Sequence, residues 1–237
     1  MSNPAVARTV AAVHTAGPML EPTKQLFAEL LPGVRLINLL DDSLIQDVIQ
    51  AGTVTPAVAR RLVTYFFAAA EAGAEVIFNT CSSVGDIVES ARVLVPVPIV
   101  RIDEAMALEA VAAADSVGVL ATLPTTLAPT VKLLRQKASQ VGRQVEVLEG
   151  LAEGAFQALL AGQAAAHDQL ILRTAMRVAA QSQVLVLAQG SMARMETTLA
   201  EATGKPVLSS PRRGVLAVKA LLEKLEARET RNPGKTA

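Results

Sequence analysis

Tryptophan is absent from this chain of 237 residues, and the remaining aromatics are one tyrosine and five phenylalanines. A surface for stacking nucleic-acid bases is therefore not expected. Lys plus Arg and Asp plus Glu both total 22, so the formal net charge is zero. That balance argues against the clustered positive charge that nucleic acid or an anionic membrane requires. A single cysteine excludes an intrachain disulfide and a cysteine-rich zinc site, and it suits a reducing compartment. No apolar run reaches the length of a membrane span, and the opening MSNPAVARTV lacks the long apolar core of a secretory signal. The expectation is a soluble, cytoplasmic protein with neither nucleic acid nor membrane as partner. GxGxxG, GxxxxGK[ST] and GxSxG are all missing, so dinucleotide, P-loop and nucleophile-elbow readings lack their fingerprints. No Ser-His-Asp arrangement is visible in sequence order.

What is present is alanine- and valine-rich hydrophobicity, 51% of the chain, enough for one large or two small cores. Short apolar runs alternate with longer helical patterns, which predicts an α/β fold with parallel sheets. Strands are expected at 7–14, 34–39, 75–79, 97–101, 115–121, 144–148, 183–188 and 206–208. Helices are expected at 22–31, 55–72, 84–93, 103–114, 126–140, 151–160, 167–181, 192–203 and 212–228. The stretch TPAVARRLVTYFFAAAEAG carries start and stop signals: Thr55 as cap, Pro56 at the first helical position, Gly73 at the end. Asp103 is a candidate N-cap for the following helix, with Glu104 favourable in its first turn.

The sequence also repeats itself. VIFNTCSSVG at 76–85 aligns with VLVLAQGSM at 184–192, 108 residues later, so Val76 meets Val184, Ser83 meets Ser191 and Cys81 meets Gln189. Pro98 meets Pro206 at the same spacing, while Thr15, Leu20, Pro22 and Thr23 meet Thr122, Leu127, Pro129 and Thr130 at 107. Matches that hold their spacing over separate segments imply two similar α/β halves. We place the first half at 1–102, completed by a returning C-terminal helix at 209–228. The second half is 103–208, and 229–237 is a loose tail without apolar periodicity. Ligands bind beyond the carboxyl ends of parallel strands, which directs four segments to one cleft: His14–Gly17, Asn79–Ser83, Thr122–Thr126 and Gln189–Ser191.

Cys81 follows an apolar strand and precedes a helix, where backbone N–H groups stabilise a thiolate and lower its pKa. Asn79, Thr80, Ser82 and Ser83 add donors for a carboxylate. A buried inert cysteine is the alternative, against which these polar neighbours argue. Thr122, Thr125 and Thr126 precede a helix and suit either carboxylate binding or ordinary capping. His14 ends the first strand; a lone histidine there is more often structural, yet it faces the predicted cleft. His167 lies at a helix start beside Asp168, a residue that favours the helix dipole. Asp41 and Asp42 reach the cleft or cap a helix, and capping is favoured.

These residues resemble the aspartate/glutamate/hydantoin racemase superfamily over nearly the whole chain. The resemblance rests on His14-Thr15 in the first loop, NTCSS around Cys81, ATLPTT at 121–126 and LAQGSMA at 187–193. It implies two Rossmann-like parallel-sheet domains related by pseudo-twofold symmetry, with the active site in the cleft between them. It also implies a pair of cysteines that remove and return a proton alpha to a carboxylate, without a cofactor. By position Cys81 matches the first thiol. Asn79, Thr80, Ser82, Ser83, Thr122, Thr125 and Thr126 resemble the carboxylate-binding set, and His14, Thr15, Gly190 and Ser191 are further candidates for substrate binding. Gln189 stands where hydantoin-racemase-like members have their second thiol, and an amide is no general base at neutral pH.

The expected activity is therefore cofactor-independent racemase or isomerase chemistry through a carbanion or enediolate, with Cys81 as proton carrier and Gln189 opposite it. The alternatives are a one-thiol decarboxylase of the arylmalonate decarboxylase type, whose thiol sits on the second loop, and a non-catalytic carboxylate-binding protein. A lowered thiol pKa is expected of the enzyme and a normal or raised one of the binding protein. The expected partners are a small carboxylate substrate and further copies of the chain.

Overall fold

A computed structural model describes residues 8–231; positions 1–7 and 232–237, which include the first residue expected in a strand and most of the expected tail, lie outside the described residues. The first half runs β1 (Thr9–His14), α1 (Leu20–Leu30), β2 (Arg35–Leu40), α2 (Ser43–Ala51), α3 (Pro56–Glu71), β3 (Val76–Asn79), α4 (Gly85–Ala91) and β4 (Ile99–Arg101). The second runs α5 (Glu104–Ala113), β5 (Ser116–Ala121), α6 (Pro124–Gln140), β6 (Glu146–Leu151), α7 (Ala155–Leu160), α8 (Ala164–Ala179), β7 (Val184–Leu187), α9 (Glu196–Thr203) and β8 (Val207–Leu208). A long closing helix, α10 (Ser210–Arg231), follows.

The strands form two four-stranded parallel sheets of identical topology, β2-β1-β3-β4 and β6-β5-β7-β8. The repeat survives in the pairing register. Val10 pairs with Val76 as Val117 pairs with Val184, and Ile77 with Ile99 as Leu185 with Val207. The central strands TVAAVH, VIFN and VLVL are buried at every position, as strands covered by helices on both faces must be. In the first half, α2, α3 and α4 cover one face through Leu44, Val48, Leu62, Phe66 and Val88. On the other face α1 and α10 bring Phe27, Val215, Val218 and Leu222 against Val10, Val76 and Phe78. The second sheet lies between α5 and α6 on one side and α8 and α9 on the other. Each large aliphatic or aromatic side chain so enclosed contributes about 1.5–3 kcal/mol.

Local chemistry explains most boundaries. The Thr55 hydroxyl accepts from Val58 N–H at 3.3 Å ahead of Pro56, and Gly73 leaves α3 at φ 86°. The sequence reading omits α2, whose nine residues offer only Leu44 and Val48 to the core. The helix expected from 151 begins at Ala155 instead. Leu151 still pairs with Ala121 as the end of β6, and Gly154 at φ 78° makes the turn. Asp103 occupies the N-cap position of α5 without capping it; its carboxylate accepts two hydrogen bonds from buried Arg101, at 3.1 and 3.0 Å. The expected loose tail starts too early, because residues 229–231 continue α10 and Glu229 accepts from Arg8 at 3.0 Å.

Candidate active site

The strands β1, β3, β5 and β7 end at His14, Asn79, Ala121 and Leu187, and the loops after them meet around one cavity of about 580 Å3. Thr15, Thr80, Cys81, Ser82 and Ser83 line it from the first half; Thr122, Thr126, Gln189, Gly190 and Ser191 line it from the second. A hydrogen bond of 2.9 Å between Ser83 Oγ and Thr126 Oγ1 joins the two halves beside it. Gly190 permits this closeness, since a Cβ there would lie 2.8 Å from Met19 Sδ.

Cys81 is the residue before a 3-10 turn, Ser82–Val84, that runs into α4. Asn79 Nδ2 donates to the Cys81 carbonyl at 2.8 Å and holds that backbone in place. Burial pushes the Cys81 thiol up. The Thr15 hydroxyl, the backbone N–H groups of Ser83 and Val84 and the Ser83 hydroxyl act in the opposite direction without overcoming it. The lowered thiol pKa expected from the helix start is thus corrected: removal of a thiolate from water outweighs four donors. The group rests as S–H.

Across the cavity the repeat places the equivalent arrangement, with an amide for the thiol. Gln189 Oε1 accepts from Thr122 N–H at 2.8 Å, and Gln189 Nε2 donates to Thr122 Oγ1 at 2.7 Å. Thr15 touches Cys81 as Thr122 touches Gln189. Because Thr122 Oγ1 accepts from the amide, its own proton is free to point into the cavity.

Three expected binding residues do not line the cavity. His14 is fully buried behind it, with Nε2 3.0 Å from Asn38 Oδ1 and Nδ1 3.0 Å from Thr80 Oγ1. Burial lowers its pKa against the opposing effect of Asn38, so the ring is neutral, donating to Asn38 and accepting from Thr80. Thr80 consequently presents lone pairs rather than a proton to the cavity. Asn79 is buried beneath Cys81 with Oδ1 unpartnered, and the Thr125 hydroxyl is likewise enclosed without a partner. Neither Thr125 nor Thr126 caps α6, whose N-cap is Leu123 with no side-chain bond. Asp41 takes part in local structure, accepting from Ser43 N–H at 3.2 Å, from the Tyr65 hydroxyl at 2.7 Å and from Arg61. Although burial opposes it, these partners hold its carboxyl at about 2. Asp42 makes no side-chain cap and lines the cavity.

The sequence reading misses His167, which it treats as part of a helix start; the structure places it in the cavity wall. Apart from Gln46, the remaining walls are mostly apolar, Ile45, Ile49, Phe156, Leu159 and Leu160 among them. Among the described residues no lysine or arginine lines the cavity. No group of three or more His, Cys, Asp or Glu is placed among them to hold a metal ion. No helix among them is long and apolar enough to cross a membrane.

The sequence profile described as Asp/Glu/Hydantoin racemase matches residues 15–218. The chain belongs to that family. A search of curated protein sequences finds no significant match. Among solved structures, glutamate racemase from Francisella tularensis in complex with D-glutamate superposes with a TM-score of 0.73 at 15% identity, covering 93% of this chain and 82% of that one. Allantoin racemase from Klebsiella pneumoniae gives 0.68 at 18%, covering 91% and 88%. Unliganded arylmalonate decarboxylase gives 0.55 at 17%, covering 90% and 92%. At these identities the structures share the fold of this racemase-family chain, two similar α/β domains, and the chemistry must be argued from its own residues.

Proposed function

We propose that this racemase-family protein is an enzyme that forms a carbanion or enediolate alpha to a carboxylate, with Cys81 as the acid that protonates one face. The observation that carries this reading is the placement of the only thiol in a hydroxyl-lined cavity between the two halves. A thiol pushed up by burial is unsuited to start as a base. It suits proton delivery, because a strongly basic carbanion beside it draws the proton away. A raised thiol, the outcome expected of a binding protein, accords equally with a general acid, and it is the hydroxyl-rich lining that favours catalysis over silent binding.

The substrate carboxylate would lie against neutral donors: the free Thr122 proton and nearby backbone N–H groups. Donors fixed in advance stabilise charge as it moves onto the carboxylate oxygens. The broad apolar wall of Ile45, Ile49, Phe156, Leu159 and Leu160 suits a bulky hydrocarbon substituent on the α-carbon. Gln189 is a positioning residue, because it orients the Thr122 hydroxyl and carries no proton itself. That same amide favours a second reading, a one-thiol lyase in which loss of carbon dioxide generates the enediolate and only Cys81 is required.

Replacing Cys81 with alanine tests the common core of both. Deuterium incorporation at the α-carbon and carbon dioxide release are followed across 2-aryl carboxylates, substituted malonates and hydantoins in deuterated water. Inversion at the α-carbon or carbon dioxide release should fall at least about 10²-fold with the fold intact. Retention of more than about a tenth of the rate removes Cys81 from the mechanism.

A further inference from the structure

Gln189 leaves the second half without a thiol, yet that half places an imidazole in the same cavity. His167 sits in the first turn of α8, 4% exposed, and lines the space that Cys81 enters from the first half. Its Nδ1 lies 2.7 Å from Asp168 Oδ1. Asp168 is in turn gripped by Arg194, one leg of the pair measuring 2.8 Å. Arg194 and His167 hold the Asp168 carboxyl at about 2 against slight burial, so it is an anion at neutral pH. A carboxylate at that distance takes the ring proton on Nδ1. Arg194 Nη2 also lies 3.3 Å from the same nitrogen, but it already donates to the Asp168 carboxylate, the stronger acceptor. The lone pair is then on Nε2. Among the described residues nothing in the protein bonds Nε2, and it is not one of the side-chain atoms sealed away without a partner. The ring belongs to the cavity wall, and Nε2 is the nitrogen left to serve it.

We propose that His167, oriented by Asp168, is the second proton-transfer group of this site, acting from the half opposite Cys81. The proposal rests on the reading of Cys81 as the first. His167 Nε2 takes the α-proton of the substrate, and the C–H electron pair becomes the enediolate. The Cys81 thiol then delivers its proton to the other face and keeps the S–H pair as thiolate. The α-carbon is inverted, and the enzyme is left as imidazolium and thiolate, the state that runs the reverse direction. No oxidant, reductant or further reactant is involved. A carboxylate that fixes the tautomer of a general base is an arrangement found on many folds. Here it replaces the missing thiol of the repeat and makes the protein an epimerase with a thiol and an imidazole rather than two thiols. A lyase that loses carbon dioxide has no α-proton to remove and no use for it.

Two experiments test this. Iodoacetate, as a covalent probe, should alkylate Cys81 and place a carboxymethyl group in the cavity. The 15N signal of His167 Nε2 should move on adduct formation, while His14 should not respond. A clean adduct that leaves Nε2 unmoved overturns the proposal. A thiol that iodoacetate leaves unmodified even at alkaline pH, once its thiolate absorbance has appeared, overturns the reading of Cys81 and the proposal with it.

The second experiment uses the separated enantiomers of 2-phenylpropanoate and of any related acid turned over by wild-type protein. His167→Asn should lower inversion at least about 10²-fold. Cys81→Ala should lose inversion likewise, while one enantiomer still exchanges its α-proton for deuterium through His167 without inverting. Asp168→Asn should weaken inversion in the same direction as His167→Asn. Inversion by His167→Asn within about tenfold of wild type refutes the proposal, as does loss of all α-proton exchange in Cys81→Ala, which leaves the one-thiol mechanism standing.

Discussion

Gln189→Glu tests the positioning of Thr122 with almost no change of shape. Gln189 now holds Thr122 by two bonds, accepting from its N–H at 2.8 Å and donating to its hydroxyl oxygen at 2.7 Å. Glutamate keeps the first bond and reverses the second, because a carboxylate only accepts. The Thr122 proton must then turn toward residue 189 and is lost to the substrate. The new negative charge also lies near the bound carboxylate. Removal of one donor from a site that stabilises developing charge costs about 10²–10³ in rate, or about 2.7–4 kcal/mol. We expect a fall of that order in kcat with little change in melting temperature, since the altered bond is exchanged for another in a half-buried position. Thr122→Val removes the same proton without the added charge and should fall no further than Gln189→Glu. The double variant should be no slower than Gln189→Glu alone, because the proton lost is the same. Deuterium incorporation at the α-carbon reports the rate, and thermal melts report the fold. Additive losses in the double variant, or a Gln189→Glu rate within tenfold of wild type, would refute the positioning argument.

Asp103→Ala should cost about 3–5 kcal/mol in urea unfolding, because it strands a guanidinium that is 1% exposed; Glu89 at 3.3 Å is its remaining partner, and a loss below about 1 kcal/mol would show that water reaches Arg101. Burial lowers the His14 pKa from its ordinary 6.5. As pH falls below that value the unfolded chain therefore takes up a proton that the folded ring refuses, and stability declines until the folded value is reached. His14→Gln should flatten that slope in urea midpoints, and an unchanged slope would assign the effect elsewhere. The Cys81 thiol, raised above its ordinary 9.0, should show thiolate absorbance at 240 nm only at higher pH than that. The stability linked to its proton is complete below that ordinary value and lost as pH rises through the folded one. Thiolate absorbance at neutral pH would contradict the role of acid.

The sequence alone determined the two-halved α/β organisation, because strands buried on both faces must be apolar throughout. TVAAVH, VIFN, SVGVLA and VLVL show this without reference to any contact. It also determined that Cys81 and Gln189 are counterparts, since a repeat that keeps its spacing keeps its strand register, as Val10–Val76 and Val117–Val184 do. Strand ends were legible for the same reason, and with them the loops that line the cavity. Which side chains in those loops face the cavity was not legible, because that depends on how each loop turns and what fills the space behind it. His14 ends a strand as expected but points into the core against Asn38, while Asn79 and Thr125 turn inward beside it. The second histidine reaches the cavity only because Arg194, 27 residues further along the chain, anchors Asp168 and so fixes the ring. The direction of the Cys81 shift was also a tertiary matter. Donors near a thiol can be counted in sequence, but the water removed from it is set by the packing of both halves.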